Sequence, residues 1–367
     1  MGLLSKILGK DKSDNQADGY KNFWKWFQKH EQQFFKALKK KKDLEEDFFD
    51  QLTNELKQMN DGFFFLAGMM DKDTAELIIT ADGNIKTIPF VEELVAEAPQ
   101  LPNWHFTALK PASDISTANI QMGELTFNPD NIHFYPNEHP EYPDEIDITI
   151  VYDHYEETLK DNILSGIYIF LDNFLGELRF ATAVDNMTVT GREEGQPDLI
   201  PVSKLKDYLL WREKEFIEKS EVAFRNTEHD NYSVLEAELT SGNRLLAVVN
   251  TDVLSWENKA SHPWVMVIEV HFKGNEQTGM PDNETYQELE EVEESIGEEL
   301  KAEEGYINIG RQTAENTRTI FYACKEFRKP AKILKEAPQA FSKDLQINFA
   351  IYKDKYWRTF NRFVTAG

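Results

Sequence analysis

The chain has 367 residues, 41% hydrophobic and 29% charged, enough to bury ordinary cores in two or three domains of about 150 residues each. Its 65 acidic against 40 basic residues leave a formal charge of −25. That sign opposes nucleic acid, whose affinity rests on Lys and Arg neutralising phosphates. The single cysteine, Cys324, excludes an intramolecular disulfide and points to a reducing, cytoplasmic compartment. No apolar run approaches the ~20 residues of a membrane span.

Residues 1–19 read as a flexible tail: MGLLSKILGK is too short for the apolar core of a signal peptide, and Lys6 stands where myristoylation wants Ser or Thr. Residues 20–61 read as a helical segment, one helix over 23–42 carrying Trp24, Phe27, Phe34 and Leu38, a second over 44–59 carrying Phe48, Leu52 and Leu56. An N-terminal α+β domain follows over 62–220. Its expected elements are a hairpin of 63–70 and 75–81, a helix over 88–98, a strand over 104–109, a proline-rich excursion over 111–145, a strand over 146–152, a helix over 158–175 and a strand over 178–189. A connector helix over 202–218 leads to the polar residues 220–231, the best boundary.

The C-terminal domain, 230–367, opens with a hairpin around Ser241-Gly242-Asn243. Strand 264–272, helix 283–301, strands 306–310 and 319–324, helix 330–341 and strand 345–352 then give the order βαββαβ, which is ferredoxin-like. Tyr286, Leu289, Val292, Ile296 and Leu300 fall on one face of helix 283–301, so both helices are expected on one face of an antiparallel sheet. The N-terminal domain, ββαβ, loop, βαβ, is read as having a related topology. The fold class is α+β.

Several stretches carry a family resemblance. Residues 264–272 (WVMVIEVHF), Gly279-Met280-Pro281-Asp282, Ile309-Gly310-Arg311-Gln312-Thr313, residues 318–322, and Asp354 with Trp357 occur in that order. The region around 255–365 resembles the bacterial domain of unknown function six hundred and ninety-five, which is similar in fold to the regulator of ribonuclease activity B. The resemblance implies a ferredoxin-like fold and no assigned chemistry. ITADG at 79–83, APQLPNW at 98–104 and FLDNFLG at 170–176 make the N-terminal half similar to an uncharacterised bacterial family.

No catalytic constellation emerges. There is no Gly-x-Ser-x-Gly elbow and no phosphate-binding glycine loop, and Cys324 alternates with Ile320 and Tyr322 as a buried thiol. No His/Cys spacing suits a metal, so no metal and no cofactor is expected. His133, His139 and His154 are candidates for a cleft site, in which case the protein is an enzyme or small-ligand binder with a site between its domains. The reading preferred here is a non-catalytic regulator or inhibitor that binds a basic protein, with no nucleic acid and no membrane as partner. Its support is the helix 283–301: eleven acids and one base lie between Met280 and Glu304, against ten bases and four acids over 325–362. Glu290, Glu291, Glu294 and Glu298 fall opposite the apolar stripe. They are either a solvated face balanced by the basic helix or a docking surface.

Overall fold

In the computed structural model, which describes residues 13–114, 119–220, 225–341 and 344–364, the chain divides into an N-terminal unit, Asp18–Lys219, and a C-terminal unit that runs from Ser220 and also takes in the described residues before Asp18. No helix among the described residues is long and apolar enough to cross a membrane.

The first helix, α1 (Ser13–Lys40), starts inside the expected tail, whose residues 1–12 lie outside the described residues, and from Asp18 on it belongs to the N-terminal unit. A π-helical turn, Glu45–Phe49, leads into α2 (Asp50–Met59). Aromatic side chains press α1 and the π-helical turn onto one sheet: Phe27 meets Trp104 edge-on with ring centroids 4.9 Å apart, Trp24 meets Phe106 at 4.6 Å, and Phe48 meets Phe65 at 6.0 Å. That sheet holds β1 (Phe64–Met69) and β2 (Ala75–Thr80) as an antiparallel pair. The helix α3 (Ile88–Ala96), with Pro at its first turn, carries the chain to β3 (Trp104–Ala108), parallel to β2. The helices predicted over 20–61 thus belong to the same unit as the strands that follow them.

The hairpin β4 (Ile120–Met122) and β5 (Leu125–Phe127) precedes β6 (Ile132–Asn137) and β7 (Asp147–Tyr152). The helices α4 (Lys160–Leu175) and α5 (Glu177–Ala183) then lead to β8 (Asn186–Thr190), parallel to β7, and to the two-residue β9 (Ile200–Pro201). The strand order is β8-β7-β6-β9. Helix α6 (Leu205–Ser220) closes the unit. Phe127, Phe134, Ile148, Ile167, Phe170 and Leu205 share its core. The strand expected over 178–189 is a correction: its first half is α5 and only Asn186–Thr190 is extended.

The C-terminal unit is built on β10 (Tyr232–Glu238), β11 (Arg244–Asn250), β12 (Trp264–His271), α7 (Asn283–Glu299), β13 (Tyr306–Ala314), β14 (Thr317–Cys324), α8 (Arg328–Ala340) and β15 (Gln346–Lys353). The last four strands and two helices run βαββαβ. The sheet order is β10-β11-β13-β14-β12-β15 and each neighbouring pair is antiparallel. β13 and β14 turn through Glu315 and Asn316, both at positive φ (47° and 63°), the backbone twist a two-residue hairpin wants. Alternation divides β12 between two faces. Val265 and Val267 join Phe321, Trp357, Phe360 and Phe363 on one side. On the other, Trp264 packs at a tilt against Phe327 at the start of α8 with centroids 4.9 Å apart, and Tyr322, opposite Met266, reaches Gly297 of α7. Both helices therefore cover one face. The N-terminal unit is different: its strands form separate smaller sheets with parallel pairs, so the related topology expected for it is absent.

Candidate functional site

Helix α7 is anchored at its start by Asp282, whose carboxylate accepts a hydrogen bond from the Thr285 amide at 2.9 Å. Those donations hold the Asp282 carboxyl below its usual range. Leu289, Val292, Ile296 and Leu300 are buried as their spacing requires, but Tyr286 is 43% exposed. Its ring instead lies under the Arg318 guanidinium, 4.9 Å from the centroid.

What faces α7 is set by one irregularity in β13. Asn308 pairs with Tyr322 and Gly310 with Phe321, so Ile309 is an extra residue. Such a bulge shifts every following side chain to the opposite face. It turns Arg311 and Thr313 toward the helix, beside Arg318 of β14, whose side chain is 2% exposed. Only glycine fits at the bulge: Gly310 has φ +141°, and a Cβ there would lie 2.3 Å from the Val248 carbonyl oxygen.

The two arginines meet two carboxylates of α7. Arg311 pairs with Glu293 and, at 3.0 Å, with Glu290; Arg318 pairs with Glu290 at 2.9 Å and with Glu293 at 3.6 Å. Arg318 also donates through Nε to the Thr313 hydroxyl at 3.2 Å. Burial pushes the Glu293 carboxyl up against the pull of both arginines. Burial also works against the Arg311 charge, but Glu293 and Glu290 together help hold the guanidinium above its usual value. Beside this network runs a groove of about 650 Å³ lined by Glu290, Glu293, Glu294, Tyr306, Arg311 and Tyr322.

Of the four glutamates singled out from sequence, Glu291, Glu294 and Glu298 are exposed, while Glu290 is partly buried in ion pairs. The three histidines do not converge. His133 lies on β6 opposite Val151, with Nδ1 3.6 Å from Asp153. His139 bonds Asp147 at 2.8 Å, at the far end of the same strand pair, four residue steps or ~13 Å along it. His154 packs edge-on to Tyr152. Among the described residues no three His, Cys, Asp or Glu side chains are grouped to hold a metal ion. Cys324 is 1% exposed, and burial pushes its thiol far up, which keeps it un-ionised and unreactive.

Residues 240–365 match a family of unknown function, DUF695. No curated protein and no solved structure matches the chain. The DUF695 region contains β11 to β15, both helices and every residue of the arginine–glutamate network, and its geometry explains the residues that carried the resemblance. Gly310 permits the bulge, and Arg311 is turned inward by it. Asp354 accepts hydrogen bonds from the Arg358 and Thr359 amides at 3.0 and 2.8 Å. Trp357 donates from Nε1 to the His262 carbonyl at 2.9 Å. Sequence reasoning gave Glu293, Arg311 and Arg318 no role in a site, although the signal was present. Arg318 alternates in phase with Ile320 and Tyr322, and Glu293, four residues after Leu289, falls only about 40° from it around the helix.

Proposed function

We propose that the C-terminal unit is a non-catalytic protein-binding module, a regulator or inhibitor, in which the outward carboxylates of α7 dock a basic segment of a partner protein. The observation that carries this reading is the division of charge on α7. Glu290 and Glu293 are matched by Arg311 and Arg318. Glu291 and Glu294, exposed on the far side, make no ion pair among the described residues. In the basic C-terminal stretch Lys329 pairs with Glu304, beyond the end of α7. Like charges three and four residues apart on a helix are mildly destabilising, by a few tenths of a kcal/mol per pair. A face of uncompensated carboxylates steers a cationic partner and orients it. The inert Cys324 and the fully paired arginines support binding over catalysis.

The test is the double variant Glu291→Gln, Glu294→Gln, with Glu290 kept because Arg318 needs it and Glu298 kept because it too is engaged within the protein. A partner recovered with the parent from the native host is titrated against both proteins at two salt concentrations. The variant is expected to fold as stably as the parent and to bind at least about tenfold more weakly, with salt weakening only the parent's binding appreciably. Equal affinity for both proteins, independent of salt, overturns the reading.

A further inference from the structure

The ITADG and FLDNFLG segments, distant in sequence, meet at one place in the N-terminal unit. Asp82 and Gly83 follow β2, Lys110 follows β3, and Asp172 and Glu177 flank the junction of α4 and α5. Since β2 and β3 are parallel, their carboxyl ends open on the same side, which is where α/β units bind ligands. A pocket of about 490 Å³ opens there.

Its chemistry follows from what is already occupied. Amides at the carboxyl ends of strands ordinarily receive an anion. Here they receive Glu177, which is fully buried. Its carboxylate accepts from the Ala81, Gly83 and Lys110 amides, each at 3.0 Å, and from the Thr80 hydroxyl at 2.6 Å. Gly176 makes this approach possible: at φ +83°, a Cβ would sit 2.9 Å from the Ala112 nitrogen. The Lys110 ammonium is likewise committed, to Asp82 at 2.8 Å and Asp172 at 2.7 Å. An anionic ligand therefore finds this nest filled and its cation taken.

The rest of the lining is acidic and apolar, with two carboxylates sharing one ammonium. Asp82, Asp172 and Asp185 line the pocket beside the single ammonium of Lys110. Burial raises the Asp172 carboxyl even with Lys110 against it, and the negative charges of Glu177 and Asp82 add to the rise. The wall is a second apolar face of α4: Tyr168 and Ile169 are 49% and 41% exposed, on the side away from the buried Ile163, Ile167 and Phe170. Tyr168 meets Phe180 of α5 with ring centroids 5.6 Å apart, giving two π faces beside the carboxylates. We propose that this pocket binds an organic cation, a primary or quaternary ammonium carried on an apolar skeleton, with Asp82 and Asp172 receiving the charge and Tyr168 and Phe180 the skeleton. Aromatic faces and carboxylates together are how proteins recognise such groups, and the volume suits one small molecule.

The test titrates phenethylammonium, benzyltrimethylammonium and, as an anion of matched size, 3-phenylpropionate into the full chain, followed by NMR of the protein's aromatic resonances. Saturable binding of the two cations with Kd of order 1 mM or tighter, and none of the anion, is expected. Asp82→Asn and Tyr168→Ala, both at solvent-accessible positions, should each weaken cation binding by about tenfold. Two variants are used so that misfolding of one leaves the other decisive. The proposal is overturned by no saturation up to about 10 mM cation, by equal binding of 3-phenylpropionate, or by cation binding unchanged in the folded variants, which would assign it to the acidic surface at large.

Discussion

His262 shows how one side chain can tie stability to pH. It is 4% exposed, its ring meets Trp256 at 5.3 Å, its Nδ1 lies 2.9 Å from the Ser261 hydroxyl, and its carbonyl receives the Trp357 indole. Burial, with the Lys325 charge adding to it, lowers its pKa from 6.5 to about 4. The folded state thus holds the ring neutral while the unfolded chain protonates it near pH 6.5. Between these two values the unfolded state binds more protons, so stability falls as pH drops from about 6.5 to about 4 and His262 contributes no further loss below that. The full swing is about 3 kcal/mol. Urea unfolding of the parent and of His262→Gln across this range isolates the effect from the carboxylates. The parent's stability should fall relative to the variant's as the solution is acidified. A difference that stays constant from pH ~7 to ~4 would falsify the assignment.

At the scale of elements, the bulge in β13 does most to shape the DUF695 site. Gly310→Ala would drive a Cβ to 2.3 Å from the Val248 oxygen and 2.8 Å from the Val249 Cα, both backbone atoms of a paired strand that cannot swing away. Loss of about 2–4 kcal/mol is expected, from strained φ plus a disturbed ladder, read as a lower urea midpoint at unchanged slope. A change under about 0.5 kcal/mol would mean that the bulge relaxes freely. Elements of this kind differ in how far the sequence discloses them. The stripe Leu289, Val292, Ile296 and Leu300 is legible because burial follows helical period. Tyr286 breaks the stripe because Arg318, 32 positions later, needs its ring. The helix Glu177–Ala183 was read as strand because LRFATAV is apolar without a clear period. What makes it a helix start is remote: the Glu177 amide donates to the Lys110 carbonyl at 2.9 Å, and its carboxylate gathers amides from residues 81, 83 and 110. The pocket beside it was invisible for the same reason, since its polar residues come from three stretches that only the folded chain brings together.

For the whole molecule, the open question is where the C-terminal unit begins as a folding unit. The family match starts at residue 240, yet β10 lies before it and pairs with β11 along seven residues, from Tyr232↔Asn250 to Glu238↔Arg244. Side chains reinforce that edge: Asn250 donates to Asp230 at 2.9 Å, the Asn231 amide donates to Asp252 at 2.9 Å, and Leu235 packs on the core containing Ala247 and Val249. A fragment of residues 240–367 would leave β11 as a bare edge, its unpaired amides and carbonyls beside an uncovered apolar face, a template for pairing between chains. A fragment of residues 225–367 keeps β10, whose Glu236 and Glu238 put carboxylates on the outer strand, a usual defence of an edge. The longer fragment should therefore be monomeric by light scattering and unfold cooperatively in urea, with the shorter one aggregating or markedly less stable. If residues 240–367 prove as monomeric and as stable as 225–367, β10 is an accessory strand and the folding unit coincides with the family boundary.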